Sequence, residues 1–206
     1  IEFRMRHKDG RWVWVNGRGK VNPWTEDGQP LLTRGPHLDI TAIKEAQEEM
    51  AYLSYHDQLT GLYNRRFYEE ELRRVDVERN LPIALIIADV NGLKLTNDAF
   101  GHQEGDQLLL DIAEVLRNCC RGDEIIARIG GDEFVILLPN TTAEQAQKMT
   151  SRIYQKTRSA TRGRRLLSMS LGYAVKTAPH ESMQDVFRNA EDDMYRHKIA
   201  ESNSMR

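Results

Sequence analysis

Gly130-Gly131-Asp132-Glu133-Phe134 lies between two apolar runs, residues 124–129 and 134–138. The simplest reading is two strands joined by a tight turn, the glycines supplying the positive φ that hairpin turns need. The turn then carries two consecutive carboxylates, where like charges repel and neither is easily buried. Such a pair is tolerated when it is solvated or when it binds a cation, and five residues alone admit both. Upstream, residues 83–88 form an apolar run with β-branched content, short enough for a buried strand, and it ends at Asp89. A carboxylate at the C-terminal end of a buried strand is where α/β sheets place ligand chemistry. If the two strands are neighbours, Asp89 and Asp132 meet, with Lys94 nearby. Two or three hard oxygen ligands beside a lysine is the composition of a magnesium–nucleotide site.

Around this nucleus the chain from residue 56 onward reads as helix, strand, helix, helix, β-hairpin, helix, strand, helix. Asp106 is expected to start a helix with Leu109, Ile112, Ala113 and Leu116 on one face. Residues 142–157 and 182–202 are further helices, each preceded by polar capping residues. Strands alternating with helices in this way make an α/β sandwich.

The whole chain has 206 residues, enough for one substantial domain and a smaller appendage. A net charge of −2 with 29% charged residues gives no global field toward nucleic acid or membrane. The basic cluster Arg158, Arg162, Arg164, Arg165 lacks interleaved aromatics and reads as a solvated connection. The longest apolar run, 83–88, is too short to span a bilayer. The chain starts at Ile1 without an initiator methionine, so a fragment is expected, whose full-length protein could be anchored upstream. Cys119 and Cys120 are adjacent on an expected helix and do not suit a mutual bridge, which fits a reducing cytoplasm.

Residues 1–41 form a different module. Phe3, Met5, Trp12 and Trp14 alternate in strand fashion around a Lys8-Asp9-Gly10 turn, and a second turn at Glu26-Asp27-Gly28 leads to Leu31, Leu32 and the triplet Asp39-Ile40-Thr41. This resembles the last three strands of a PAS sensor domain, an antiparallel β remnant without most of the ligand pocket. Tryptophans at strand spacing are expected in a core or an interface rather than a cofactor cage. Residues 42–55 read as a linker helix, in which Ile43 and Met50, like Ala46 and Leu53, are seven apart. That is an a/d pattern over two heptads, suited either to a parallel dimer or to packing on its own domain.

From residue 56 onward the motifs carry a resemblance. Asp57-Gln58-Leu59-Thr60-Gly61-Leu62-Tyr63-Asn64-Arg65-Arg66, the stretch 89–106, the Gly-Gly-Asp-Glu-Phe turn, Ser170-Leu171-Gly172-Tyr173-Ala174 and a closing helix over 190–198 stand in one order and spacing. In these features the chain resembles a GGDEF-domain diguanylate cyclase, the family that condenses two GTP molecules into cyclic di-GMP. The resemblance implies an α/β (α+β) fold with the sheet of nucleotidyl cyclases and polymerase palm domains. It also implies a homodimer with one GTP and Mg²⁺ or Mn²⁺ per domain. Asp89, the Val90 backbone, Asp132 and Glu133 are then the expected metal ligands, with Glu133 as alternatively the group assisting deprotonation of the ribose hydroxyl. Asp132 and Glu133 are the catalytic acids, and Gly130 and Gly131 let the backbone approach the nucleotide.

By the same resemblance Asn97 and Asp106 read guanine. A carboxylate can accept from guanine N1–H and N2–H₂, donors that adenine does not present in the same way, although both residue types also suit helix caps. Lys94 and Lys198 become phosphate partners, and His102 a structural residue of a loop-to-helix turn. The departures are Ser202 where the family has an arginine (Arg206 is a candidate replacement), Asn91 for a second aspartate, and Leu93 for phenylalanine. The family's product-inhibition motif stands as Arg121-Gly122-Asp123-Glu124, its acid one methylene longer, with Arg152 on the next helix able to complete it. Weakened feedback by cyclic di-GMP is expected. Other functions compatible with the sequence are a silent GTP-binding regulatory domain and a cyclic di-GMP receptor acting through Arg121.

Overall fold

A computed structural model describes residues 1–21, 27, 33–120, 124–160 and 167–204. Glu26, Gly28, Leu31, Leu32, Arg121, Arg162, Arg164, Arg165 and Arg206, all singled out above, lie outside the described residues, as does the Ser202 side chain. The chain divides into two compact units, Ile1–Ser54 and Tyr55–Arg206.

In the first unit, β1 (Glu2–Arg6) and β2 (Trp12–Gly17) form an antiparallel hairpin, with Gly10 at φ +93° in the connecting turn. The short strands β3 (Lys20–Val21) and β4 (Thr33–Arg34) pair with each other. Strand β5 (His37–Asp39) joins β2 to complete a three-stranded sheet in the order β1-β2-β5. The period of a strand puts Val13 and Val15 on the face opposite Trp12 and Trp14. The valines are buried, whereas Trp12 is 63% exposed, so the core of this sheet is aliphatic rather than aromatic. Trp14 is half-buried, with Arg4 Cζ 5.8 Å and Lys44 Nζ 5.4 Å from its ring centroid. Helix α1 (Thr41–Tyr55) follows, and Asp39 Oδ1 accepts from the Thr41 N–H at 2.9 Å. None of its residues is buried: Ile43 is 55% and Met50 72% exposed.

The second unit begins with β6 (Tyr63–Asn64) and α2 (Arg65–Val75), capped by Asn64 Oδ1 accepting from the Phe67 N–H at 3.0 Å. Then come β7 (Ile83–Val90), α3 (Leu93–Phe100), α4 (His102–Cys119), the hairpin β8 (Ile125–Arg128) and β9 (Glu133–Leu138), α5 (Ala143–Ser159), β10 (Met169–Lys176) and α6 (Met183–Ser204). Among the described residues the sheet runs β10-β7-β9-β8-β6, with β6 parallel to β8 and the other pairs antiparallel.

Strand β7 is apolar without alternation because both of its faces are covered. Ala84, Ile86, Ala88 and Val90 pack with Leu109, Ile112 and Leu116 of α4 and Ile153 of α5. Ile83, Leu85 and Ile87 pack with Tyr68 of α2 and Val186 and Ala190 of α6. The mixed α/β expectation is met, and β7, flanked by β10 and β9, is the interior strand that carries Asp89 to the edge of the core.

One boundary differs. The helix expected to start at Asp106 starts at His102, because Gly101 adopts φ +89° and serves as both the end of α3 and the start of α4. Asp106 therefore lies one turn inside α4. The α5 start matches the sequence: Thr142 and Gln145 form a reciprocal capping box.

Candidate active site

Strand pairing brings the first two acids together. Asp89 is directly opposite Glu133 across β7 and β9, so both side chains emerge on one face of the sheet, the face covered by α2 and α6. One residue on, the Val90 N–H donates to the Asp132 carbonyl at 3.0 Å. Asp89 is buried at 7% exposure, and its Oδ1 accepts a charge-assisted bond from Lys198 Nζ of α6 at 2.7 Å. A buried carboxylate needs a cationic partner, and here an ammonium supplies it.

The turn itself departs from expectation in one respect. Neither Gly130 nor Gly131 lies in the left-handed region, so positive φ is not why glycine occurs there. At Gly130 a β-carbon would come within 2.6 Å of Glu133 Oε2, the end of a side chain that folds back over the turn. At Gly131 a β-carbon would meet nothing within 4 Å, leaving that side open. The turn is braced by Arg128, whose Nε and Nη2 donate to the Gly131 carbonyl at 3.2 and 2.7 Å. Arg128 Nη1 also donates to Asp57 Oδ1 at 3.1 Å. Burial works to raise the Asp57 pKa, but hydrogen bonds from the Thr60 hydroxyl and N–H and from Arg128 outweigh it and hold the carboxyl below its ordinary value. A residue from the opening motif thus anchors a turn some seventy positions away.

Asn97 and Asp106 come from different helices, and Asn97 packs against Gly105, the residue before Asp106. A β-carbon at Gly105 would stand 1.9 Å from Asn97 Oδ1, so the glycine is what lets α3 lay its carboxamide on α4 one residue before Asp106. Asp106 is exposed and Asn97 half-buried. Neither caps its helix: Gly92 and Gly101 occupy those positions. Lys94 is exposed in the first turn of α3, and His102 is exposed at the first position of α4.

Asn91 does more than fill a position. Its Nδ2 donates to Ser168 Oγ at 3.0 Å and its Oδ1 accepts from Ser170 Oγ at 3.1 Å, tying the end of β7 to β10 beside Asp89. On α6, Glu191 is raised above its usual carboxylate range by burial and then by the nearby Glu133 charge. Sequence reasoning gave no role to Arg128, Gly105 or Glu191. The signal was there for the first two: an arginine two residues before the paired glycines, and a glycine just before Asp106.

Among the described residues no group of three His, Cys, Asp or Glu side chains is arranged to hold a metal. Mg²⁺ does not need one, since it is commonly held by one or two carboxylates with waters and substrate phosphates. The donor chemistry of Asp89, Glu133 and the neighbouring turn therefore fits such an ion, and the Lys198 ammonium already marks a cation-seeking oxygen.

A second polar site lies on the opposite face. Glu124 and Arg152 line a cleft of about 260 Å³ with Thr141, Gln145, Lys148 and Met149. Arg152 Nη2 donates to the Cys119 carbonyl, but Arg152 Nε and Glu124 Oε2 are buried with no hydrogen-bond partner among the described residues. Burial, then the Glu124 charge, pushes the neighbouring Cys120 thiol up to about 12, so it stays protonated and inert. No described helix is long and apolar enough to cross a membrane.

Comparison with known proteins identifies the family. The profile of the family described as "Diguanylate cyclase, GGDEF domain" matches residues 54–204, and that of the PAS fold matches residues 1–36. The bifunctional diguanylate cyclase/cyclic di-GMP phosphodiesterase MucR of Pseudomonas aeruginosa is 34% identical over 168 residues, 77% of this chain and 24% of that protein. Diguanylate cyclase DgcM of Escherichia coli is 33% identical over 166 residues, 78% of this chain and 40% of its own length. The chain thus spans well under half of these curated relatives. Among solved structures, the coiled coil and GGDEF domain of DgcB from Caulobacter crescentus, in complex with c-di-GMP, superposes with a TM-score of 0.72 at 27% identity, covering 78% of this chain and 89% of that one. A family match over residues 54–204, on a sheet that sets Asp89 against the Gly130–Glu133 turn, makes this chain a member of the GGDEF diguanylate cyclase family.

Proposed function

We propose that the chain is an active diguanylate cyclase, joining two GTP molecules into cyclic di-GMP across a homodimer. The observation that carries this reading is the pairing of buried Asp89 with Glu133 on one face of the sheet, with a lysine ammonium already seated on Asp89. Each ribose 3′-oxygen attacks the α-phosphorus of the other nucleotide, a new P–O bond replaces the bond to pyrophosphate, and two pyrophosphates leave. A divalent cation, Mg²⁺ or Mn²⁺, held by Asp89, Asp132, Glu133 and the Val90 carbonyl would supply charge stabilisation at the phosphoryl oxygens. Asp106 accepts from guanine N1–H and N2–H₂ while Asn97 bonds the base edge, which favours GTP over ATP. Lys94 and Lys198 neutralise the triphosphate. Gly130 and Gly131 keep the turn thin enough for the nucleotide to lie against its backbone. Where it does not hold the cation, Glu133 assists removal of the hydroxyl proton, its exposure at the start of β9 leaving it open to the partner's nucleotide. Each domain holds one GTP, so the dimer supplies orientation that solution encounter lacks.

In this reading residues 1–41 are the end of a PAS sensor, 42–55 a coupling helix and 56–206 the catalytic domain, working in the cytoplasm where GTP is found. The exposed Ile43, Met50 and Leu53 of α1 support a paired helix that sets the dimer geometry. The Glu124 and Arg152 atoms that have no partner among the described residues support a second reading of the other cleft, as a feedback site for cyclic di-GMP. Incubation with GTP and Mg²⁺, with nucleotides separated by chromatography, tests the activity. Cyclic di-GMP from the parent and none from Asp132→Ala is the expected result. GTP bound without product would favour a silent regulatory domain instead. Calorimetric titration with cyclic di-GMP tests the second cleft, where Arg152→Ala should lose most of the binding.

A further inference from the structure

The two partners of the Lys198–Asp89 pair are unequal. The Asp89 side chain is 11% exposed and fixed by strand register between Ser170 and Glu133, whereas Lys198 is 41% exposed at the end of a flexible stem on α6. If either group moves, it is the ammonium. We propose that Lys198 is an exchangeable counter-ion: it neutralises Asp89 in the nucleotide-free protein and transfers to the triphosphate when a divalent cation takes its place. This rests on the reading above that Asp89 is a metal ligand, and adds to it an order of events.

A buried carboxylate without a cation is expensive, so Asp89 cannot stand bare between turnovers. Lys198 meets that need through a hydrogen bond to Oδ1 at 2.7 Å. An arriving divalent ion seeks the same oxygen, and two cations at one carboxylate oxygen repel each other. The ion therefore binds alone only by displacing the ammonium from its buried partner. When the triphosphate arrives with the ion, the displaced ammonium gains a new anion nearby. Metal and nucleotide consequently assist each other's binding, and the coupling is reciprocal. Lysine suits this exchange better than arginine. A compact, strongly hydrated ammonium on a mobile stem releases readily, whereas a guanidinium fork would hold the carboxylate bidentately.

Binding of Mn²⁺ without nucleotide reads this directly, using the electron paramagnetic resonance signal of the free aqueous ion. The parent is compared with Lys198→Met, Lys198→Gln, Lys198→Arg and Asp89→Asn, each checked for folding by circular dichroism. Lys198→Met and Lys198→Gln are expected to bind Mn²⁺ alone about three- to tenfold tighter than the parent, as loss of a partly exposed competing charge implies. Lys198→Arg should not gain. With the α,β-methylene analogue of GTP added, the advantage of the Met and Gln variants should vanish or reverse. Unchanged or weaker Mn²⁺ binding in both neutral variants, with Asp89→Asn abolishing the site, would overturn the exchange while leaving Asp89 as a ligand. Identical binding in the parent and Asp89→Asn would overturn both.

Discussion

In the proposed reaction, base recognition turns on Gly105. With a β-carbon 1.9 Å from Asn97 Oδ1, alanine there forces the carboxamide to swing away while leaving the helix backbone able to form. Gly105→Ala should therefore weaken GTP binding about tenfold with little loss of stability, measured by fluorescence titration with a labelled nucleotide. Asp57 carries a different prediction. A carboxyl depressed in the folded state contributes stability that is present above its unfolded pKa and is lost as pH falls through the folded value. The parent should thus exceed Asp57→Asn in urea midpoint by a constant amount between about pH 5 and 8, and the gap should close below about pH 4. These two residues also mark how far the site was legible. Asp89, Asp132 and Asp106 could be nominated because acids in the order and spacing of a known family need no contact to be noticed. Gly105 and Arg128 act only through partners on other elements, and a contact between α3 and α4, or between the turn and Asp57, has no signature along the chain.

At the scale of elements, β10 and α6 approach backbone to backbone. A β-carbon at Gly172 would lie 2.0 Å from the Met194 nitrogen and 2.4 Å from the Ala190 carbonyl oxygen, so backbone meets backbone with no flexible side chain to yield. Gly172→Ala should cost at least about 2 kcal/mol in urea unfolding, by overpacking. In whatever fraction remains folded, α6 should sit farther from the sheet and Lys198 farther from Asp89. The elements themselves were readable from periodicity: the unbroken apolar run of β7 signalled burial on both faces, and the α4 stripe signalled one. The start of α4 was not, since a left-handed glycine at position 101 and an acid at 106 both mark helix beginnings and only the backbone shows which one acts.

For the molecule as a whole, activity should depend on protein concentration, because one domain holds one nucleotide in the proposed reaction. Replacing Ile43 and Met50 together by glutamate should shift sedimentation toward the monomer and lower turnover most at dilute protein. An unchanged sedimentation profile with unchanged turnover would remove α1 from the dimer. The division into two units follows a change in pattern that the sequence displays, from two-residue alternation to heptad spacing to the α/β series. Strand spacing fixes which residues share a face but not which face the rest of the protein covers, and here the valines rather than Trp12 face the core of the first unit.

The close seating of α6 on β10 also constrains how the chain can vary in length. The helix is locked at Ala190 and Met194, and Lys198 reaches Asp89 from one turn farther along. A single residue inserted between Met194 and Lys198 would rotate the ammonium about 100° around the helix axis, away from the sheet. The same insertion after Lys198 would leave the site untouched. Relatives that share this packing should therefore hold the stretch from the Gly172 contact to the lysine at fixed length, and place their insertions and appended domains beyond it.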